Sequence, residues 1–176
     1  MDNISPKLSE DDLNKLNEFS RRFYKNIINR HPEWDKYASI GTLGDQPFVV
    51  IQIPPAVPGL FPIEITSCED VPEELTLYFG PAHFHMRMYL RSGERTLTDQ
   101  LNGIEKITSQ IFNEKLIAVQ KKPGFFGFVA EGLLPPEDYN ELLEKGKLRR
   151  AISWKGTHNY PKDGTHLDWE MQDNSE

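Results

Sequence analysis

The stretch LTLYFGPAHFH, residues 75–85, decides how this chain is expected to fold. Apolar and polar residues alternate from 75 to 79, and the alternation resumes from 83 to 90, so Phe84, Met86 and Met88 are expected to face the core. Strict alternation is typical of a strand that is buried on one face, because successive side chains point to opposite faces of a sheet. The runs 63–66 and 48–53 also have strand character. Four such segments joined by short links predict an antiparallel meander.

Helical periodicity flanks these strands. A first helix is expected from Ser9, where a capping-box pattern begins, to about Arg30, and a loop follows it. A second helix begins after Thr96, which precedes an acid by three residues as a capping box requires. Pro135-Pro136 opens a third helix and Gly146 closes it. Each helix therefore has a local signal that fixes one of its ends.

Further strand patterns follow the second helix. Residues 116–119 and 125–130 indicate a hairpin, and residues 148–154 indicate a last strand. We therefore predict an α+β fold, an antiparallel sheet of about five to seven strands with helices packed on one side. Residues 1–160 are expected to form a single domain, and residues 161–176 a partly ordered acidic tail.

Length and composition limit the class of protein. The chain has 176 residues, which fits one domain, and 38% are hydrophobic, which is enough for a core. No apolar run approaches the roughly 18 residues of a membrane helix, and the first residues lack the pattern of a signal peptide. We expect a cytoplasmic protein with no membrane partner. A single cysteine, Cys68, excludes an internal disulfide and a multi-cysteine zinc site.

The charge of the chain limits its partners. The formal net charge is −7, and phosphate backbones repel such a protein unless its basic residues are segregated in a patch. The basic clusters are short, and we interpret them as solvated faces: Arg21-Arg22, Lys121-Lys122 and Lys145 to Arg150. We therefore expect no nucleic-acid partner. An acidic total is compatible with a cationic protein partner, which it would attract over long range.

His83 and His85 are the most chemically suggestive pair. Residues two apart on a strand share a face, so both imidazoles could reach one metal ion. Arg87 continues on that face and disfavours a dication. A third ligand could come from several residues, among which the spacing selects none: Glu64, Glu69, His158 and His166. We expect the two rings to hydrogen-bond to neighbours without metal, and the metal site stays as the alternative.

The known catalytic and nucleotide-binding patterns are absent from the sequence. It contains no G-x-S-x-G, no phosphate-binding G-x-x-x-x-G-K-[ST], no G-x-G-x-x-G and no H-E-x-x-H. His158 and His166 lie close to Asp163 and Asp168, but a tail segment loses entropy when it orders around a metal. We therefore expect a non-catalytic protein that has no cofactor.

Two short stretches carry a family resemblance. The segment 75–85 and the segment SWKGTH, residues 153–158, together resemble small bacterial immunity proteins of polymorphic or contact-dependent toxin systems. The stretches cover 17 of the 176 residues, and His158 stands where such a segment can carry Asp. The resemblance implies a compact α+β protein of the cytoplasm that binds and blocks a toxin domain without catalysis.

Together these observations favour a protein-binding inhibitor over a small metal-dependent enzyme or metal-binding protein. A third possibility is an accessory domain that has no activity of its own. Exposed acids and aromatics are the natural contacts for a cationic partner, because aromatics dominate interface energies and charges steer the encounter. The expected partner contacts are His83, His85, Trp154, His158, Asp163, Asp168 and Trp169.

Overall fold

The computed structural model describes residues 8–67, 73–90, 96–123 and 131–162. Its helices are α1 (Glu10–Lys15), α2 (Glu18–Arg30), α3 (Met86–Tyr89), α4 (Leu97–Phe112) and α5 (Pro136–Glu144), with a 3₁₀ turn at Pro32–Tyr37. Its strands are β1 (Ala38–Leu43), β2 (Gln46–Ile53), β3 (Ile63–Thr66), β4 (Thr76–Phe79), β5 (Ala82–His85), β6 (Ile117–Lys121), β7 (Glu131–Leu134) and β8 (Leu148–Ile152). The predicted α+β class is confirmed.

The described strands form two sheets. One is a five-stranded antiparallel sheet of order β1-β2-β3-β4-β5, and the other has three strands of order β7-β6-β8. In the second sheet β6 pairs antiparallel with both of its neighbours. Alternation shows that a strand is half-buried but does not show which strand lies beside it, so the division into two sheets was not predicted. The predicted hairpin strand at 125–130 lies entirely outside the described residues.

The chain divides into two compact units, each with buried apolar residues. The first unit is drawn from residues 1–54, 63–78 and 84–106, and the second from residues 55–62, 79–83 and 107–176. Fully buried side chains of the first unit include Phe23, Ile27, Ile51, Ile63, Ile65, Leu75, Leu77, Leu101 and Ile104. The second unit has a cluster of Ile117, Val119, Tyr139, Leu148 and Ala151. The single domain over 1–160 stays a prediction.

The expected long first helix is wrong, because the chain forms two helices there. The predicted capping box at Ser9 is confirmed: its Oγ accepts from the Asp12 N–H at 3.2 Å, and its N–H donates to the Asp12 carboxylate at 3.3 Å. Leu16 is extended and buried, which ends α1. Asn17 then caps α2 by accepting from the Ser20 N–H at 2.8 Å. A second polar cap thus restarts the helix inside an unbroken apolar stripe.

The segment after α2, expected as a loop, contains a 3₁₀ turn followed by the edge strand β1. Strand β1 pairs antiparallel with β2, and Leu43 lies opposite Gln46. The two residues between them form the turn, and Gly44 has a φ of 57° there. A left-handed φ in a two-residue hairpin turn favours glycine. The sequence of β1 is mostly small and polar, so it lacks the apolar alternation by which strands are recognised.

A buried hydrogen bond joins α2 to the 3₁₀ turn. The Tyr24 hydroxyl donates to the Asp35 carboxylate, and both side chains are buried. Burial, together with the neighbouring Asp35 carboxylate, raises the pKa of Tyr24 well above its ordinary value of about 10. The phenol therefore stays protonated in the folded chain at pH values where it ionises in the unfolded chain.

We expect this bond to make stability fall at high pH. Above about pH 10, ionisation of Tyr24 stabilises the unfolded state but not the folded state. The free energy of unfolding therefore drops by up to about 1.4 kcal/mol per pH unit. Urea denaturation at pH 9 to 11 measures this slope. Tyr24→Phe should show a shallower slope. Equal slopes in the original chain and in Tyr24→Phe would contradict the assignment.

No helix among the described residues combines the length and apolar character needed to cross a bilayer.

The predicted starts of α4 and α5 are confirmed. Thr96 Oγ1 accepts from the Asp99 N–H at 3.2 Å, and Pro136 is the first residue of α5. Gly146 follows α5 with a φ of 62°, and its N–H donates to Leu143 O at 3.0 Å. These ends depend on local bonds, which makes them predictable from sequence.

Candidate functional site

Strand β5 ends at His85, and the chain then turns into the short helix α3. The expected strand from 83 to 90 is therefore wrong in its second half. The N–H of Met86 donates to Leu75 O at 2.9 Å, and the N–H of Leu90 donates to Met86 O at 3.0 Å. The first bond ties the start of α3 to the residue before β4, and the second closes its one turn.

A buried carboxylate holds this turn in place. The Glu74 side chain is 5% exposed, and its Oε2 lies 3.2 Å from His85 Nδ1. Its Oε1 accepts from the Arg87 N–H at 3.0 Å. Thr76 Oγ1 lies 3.4 Å from the same His85 nitrogen. Because a buried carboxylate is costly unless hydrogen-bonded, these contacts favour one conformation of the chain at the entry to α3.

Sequence reasoning found His85 but missed Glu74. Glu73 and Glu74 are adjacent acids, and in an extended chain they point to opposite faces. A usable signal was present: Glu74 and Thr76 are two apart, so they share a face of an extended chain, and both contact His85. The period of two therefore places Glu74 on the face of β4 that carries Thr76, opposite the apolar face of Leu75 and Leu77.

The helical turn separates two methionines that the alternation placed together. Met86 is fully buried, as predicted, and a Cβ at Gly103 would lie 3.3 Å from its Sδ. Met88, predicted to face the core, is 75% exposed, so that prediction is wrong. Phe84 is half-buried. Successive residues of a helix are rotated by about 100°, so residues two apart lie on nearly opposite sides.

We call Glu74, His85, Arg87 and Met88 the β5–α3 corner. It contains one apolar side chain that is exposed to solvent, an imidazole that is 29% exposed, and a backbone N–H bonded to a buried acid. Such a carboxylate fixes the orientation of the histidine ring, and the contact leaves Nδ1 facing the acid. Within the described ranges no group of three or more His, Cys, Asp or Glu side chains is arranged to hold a metal ion.

The other expected partner contacts lie in different surroundings. His83 is exposed on β5, and its role in binding stays a prediction. His158 is half-buried and meets the Tyr139 ring edge-on at 5.4 Å between centroids. Trp154 is 8% exposed, so it has little surface to offer a partner, and we assign it to the core of the second unit. Residues Asp163, Asp168 and Trp169 lie outside the described residues.

The segment SWKGTH folds around the carboxylate of Glu114. The Lys155 N–H donates to Glu114 Oε1 at 2.9 Å, and the Ser153 and Thr157 side chains also hydrogen-bond to this carboxylate. Partial burial acts to raise the pKa of Glu114, but these hydrogen bonds outweigh it and lower the pKa below its ordinary value. Gly156 has a φ of 80°, which lets the loop close. The segment thus has a structural role within the second unit.

The fold and the corner define an α+β protein that presents an apolar side chain on a fixed turn. Comparison of the chain with protein-family models, with curated proteins and with solved structures finds no match.

Proposed function

We propose that the chain is a non-catalytic protein-binding inhibitor, of the kind that neutralises a bacterial toxin domain, and that it meets its partner through the β5–α3 corner. One observation carries the proposal: Met88 is 75% exposed on a turn that the buried Glu74 holds in place. Methionine is enriched at protein interfaces, and an anchor on ordered backbone loses little entropy on binding.

Met88 is well suited to this role. Among the described residues, Met88 is the most exposed of the large hydrophobic side chains. The other exposed ones are Leu43, Val57 and Leu143. Methionine is unbranched and polarisable, so it adapts to an irregular partner surface. The fixed turn means that little backbone entropy is lost on binding. An anchor of this kind supports protein binding in preference to catalysis.

The charge of the chain supports a cationic partner. Residues 1–106 contain sixteen Asp and Glu against eleven Lys and Arg. Glu10, Asp11 and Glu18 are exposed in the first turns of α1 and α2. Such acids attract a cationic protein over a Debye length of about 10 Å at 0.1 M salt. The resemblance of residues 75–85 and 153–158 to immunity proteins supplies the class of partner.

Co-expression tests the proposed function. If the gene beside this one in the native genome encodes a secreted protein, its C-terminal domain is the candidate toxin. We expect induction of that domain alone to stop growth, and co-expression of this chain to restore it. The two proteins should also elute together in size-exclusion chromatography at 0.1 M salt. Growth arrest that persists with the folded chain present, without a complex, would contradict the proposal.

A further inference from the structure

A cavity of about 240 Å³ lies beside the first turn of α4. The described residues that line it are Phe19, Arg22, Glu73, Thr96, Leu97 and Gln100. All six belong to the first unit, and none of them is a member of the β5–α3 corner. A cavity of about 150 Å³ is enough to hold benzene, so this one has room for a small molecule that carries an apolar side chain.

Two helices shape the cavity, and each contributes one apolar and one polar side chain. Phe19 and Arg22 are three residues apart on α2, so they lie on one face of that helix. Leu97 and Gln100 have the same spacing on α4. Phe19 and Leu97 are half-buried, whereas Gln100 is only 1% exposed. The cavity therefore has apolar walls and a buried amide at its base.

The buried amide of Gln100 holds the chain at Glu73 in an unusual conformation. Its Nε2 donates to Glu73 O at 3.0 Å, and its Oε1 accepts from the Leu75 N–H at 2.8 Å. Glu73 has a φ of 60°, in the left-handed region that residues other than glycine seldom occupy. Strained residues of this kind cluster at ligand-binding sites, where the surrounding structure holds them in place. Gln100 thus fixes the backbone that carries the Glu73 carboxylate at the rim of the cavity.

The polar groups that remain available in the cavity are opposite in charge. The Thr96 hydroxyl is already bonded to Asp99, and both ends of the Gln100 amide are bonded within the chain. In the part of the chain that the structure describes, neither the Arg22 guanidinium nor the Glu73 carboxylate takes part in a salt bridge. The cavity therefore offers one cation and one anion that do not pair with each other.

We propose that this cavity binds an α-amino acid with an apolar side chain, in its zwitterionic form. Arg22 binds the carboxylate, for which a guanidinium has matching geometry, and Glu73 binds the ammonium group. Phe19 and Leu97 pack against the apolar side chain. The inference goes beyond the proposed inhibitor function and does not depend on it.

The charges of the cavity favour a zwitterion over an ion of either sign. A simple carboxylate would leave Glu73 unpaired, and a simple amine would leave Arg22 unpaired. A simple anion must also approach a chain whose net charge is −7. A zwitterion has no net charge and satisfies both groups at once.

Titration of the full chain with L-leucine, followed by the NMR shifts of backbone amides, tests the proposal. We expect the amides of Leu97 and Gln100 to shift, with a dissociation constant of about 1 mM or lower, as is ordinary for a ligand of this size. N-acetyl-L-leucine lacks the ammonium group, and L-leucinamide lacks the carboxylate. Glycine lacks the apolar side chain. Each of the three should bind at least tenfold more weakly than L-leucine.

Variants of the two charged residues show whether the binding is to this cavity. Arg22→Gln and Glu73→Gln should each weaken the binding of L-leucine at least tenfold. Lys25→Gln and Glu18→Gln are the matched controls, because both residues are exposed on α2 and neither lines the cavity. We expect both controls to bind L-leucine as the original chain does.

Three results would overturn the proposal. The first is no shift of these amides at about 10 mM L-leucine, ten times the expected dissociation constant. The second is an equal affinity of the two cavity variants and the two controls. The third is equal binding of L-leucine and one of its two blocked forms, which would assign the cavity to one end of a peptide chain.

Discussion

Trp154→Ala should lower the free energy of unfolding by about 3–5 kcal/mol, as large-to-small changes of buried aromatics do. The Trp154 indole is 8% exposed. Its ring lies 4.8 Å from that of Phe112 and 6.1 Å from that of Phe79, centroid to centroid, at tilted angles of 47° and 52°. Such tilted pairs add to the free energy gained by burying the rings. Removing the indole would leave a cavity between two phenylalanines.

Urea denaturation of the purified variant measures this loss, and Lys155→Ala is the matched control. Lys155 is the next residue of the same segment and its side chain is exposed, so its removal should change stability by no more than about 0.5 kcal/mol. If Trp154→Ala were as stable as Lys155→Ala, the indole would not be a core residue. The aromatic of SWKGTH would then be available to a partner, as the sequence first indicated.

Glu74→Ala should be the second costly change, with a loss of about 2 kcal/mol. The Glu74 carboxylate accepts from the Arg87 N–H and faces His85, and its side chain is 5% exposed. Its removal leaves these groups without their acceptor, and a buried donor without an acceptor costs about 1–3 kcal/mol. The effect should be local as well, with faster hydrogen exchange at the Arg87 amide.

Glu73→Ala is the control for this change. Glu73 is the adjacent acid and is exposed, so Glu73→Ala removes the same charge without disturbing the turn. We expect its stability to stay within about 0.5 kcal/mol of the original chain. Denaturation by urea and hydrogen exchange of the Arg87 amide are compared in both variants. An Arg87 amide that exchanges equally fast in the two variants would show that Glu74 does not hold α3.

Local signals predicted the ends of several elements correctly. The capping boxes at Ser9 and Thr96 depend on side chains three residues away, and Gly146 ends α5 through its own backbone conformation. These interactions lie within one turn of the chain, so the sequence alone specifies them. The same reasoning missed Asn17, because an uninterrupted apolar stripe outweighed a cap in the middle of it.

Interactions over long range explain the predictions that were wrong. The alternation of residues 83–90 continues past His85, yet the chain turns where Leu75 and Glu74 bond to the start of α3. Strand β1 has almost no apolar alternation and forms because β2 lies beside it. A pattern of single residues does not contain the identity of a bonding partner that is ten or more residues away.

The candidate site was predicted in part. His85 was selected from its spacing to His83, but the acid that orients it was not selected, and Met88 was assigned to the core. The reason is the same change from strand to helix, which turns Met88 outward. Trp154 shows the opposite error, since it was expected among the exposed aromatics that contact a partner and is buried.

The most direct test of partner binding through the β5–α3 corner is to remove the Met88 side chain and measure the affinity of the chain for its partner. The probe is the toxin domain whose growth arrest this chain relieves in the co-expression test, and titration calorimetry gives the dissociation constant. Leu43→Ala, another exposed apolar residue of the first unit, is the control. We predict that Met88→Ala weakens binding at least tenfold with unchanged stability, whereas Leu43→Ala binds as the original chain does. An unchanged dissociation constant for Met88→Ala would contradict the assignment of the β5–α3 corner as the binding surface.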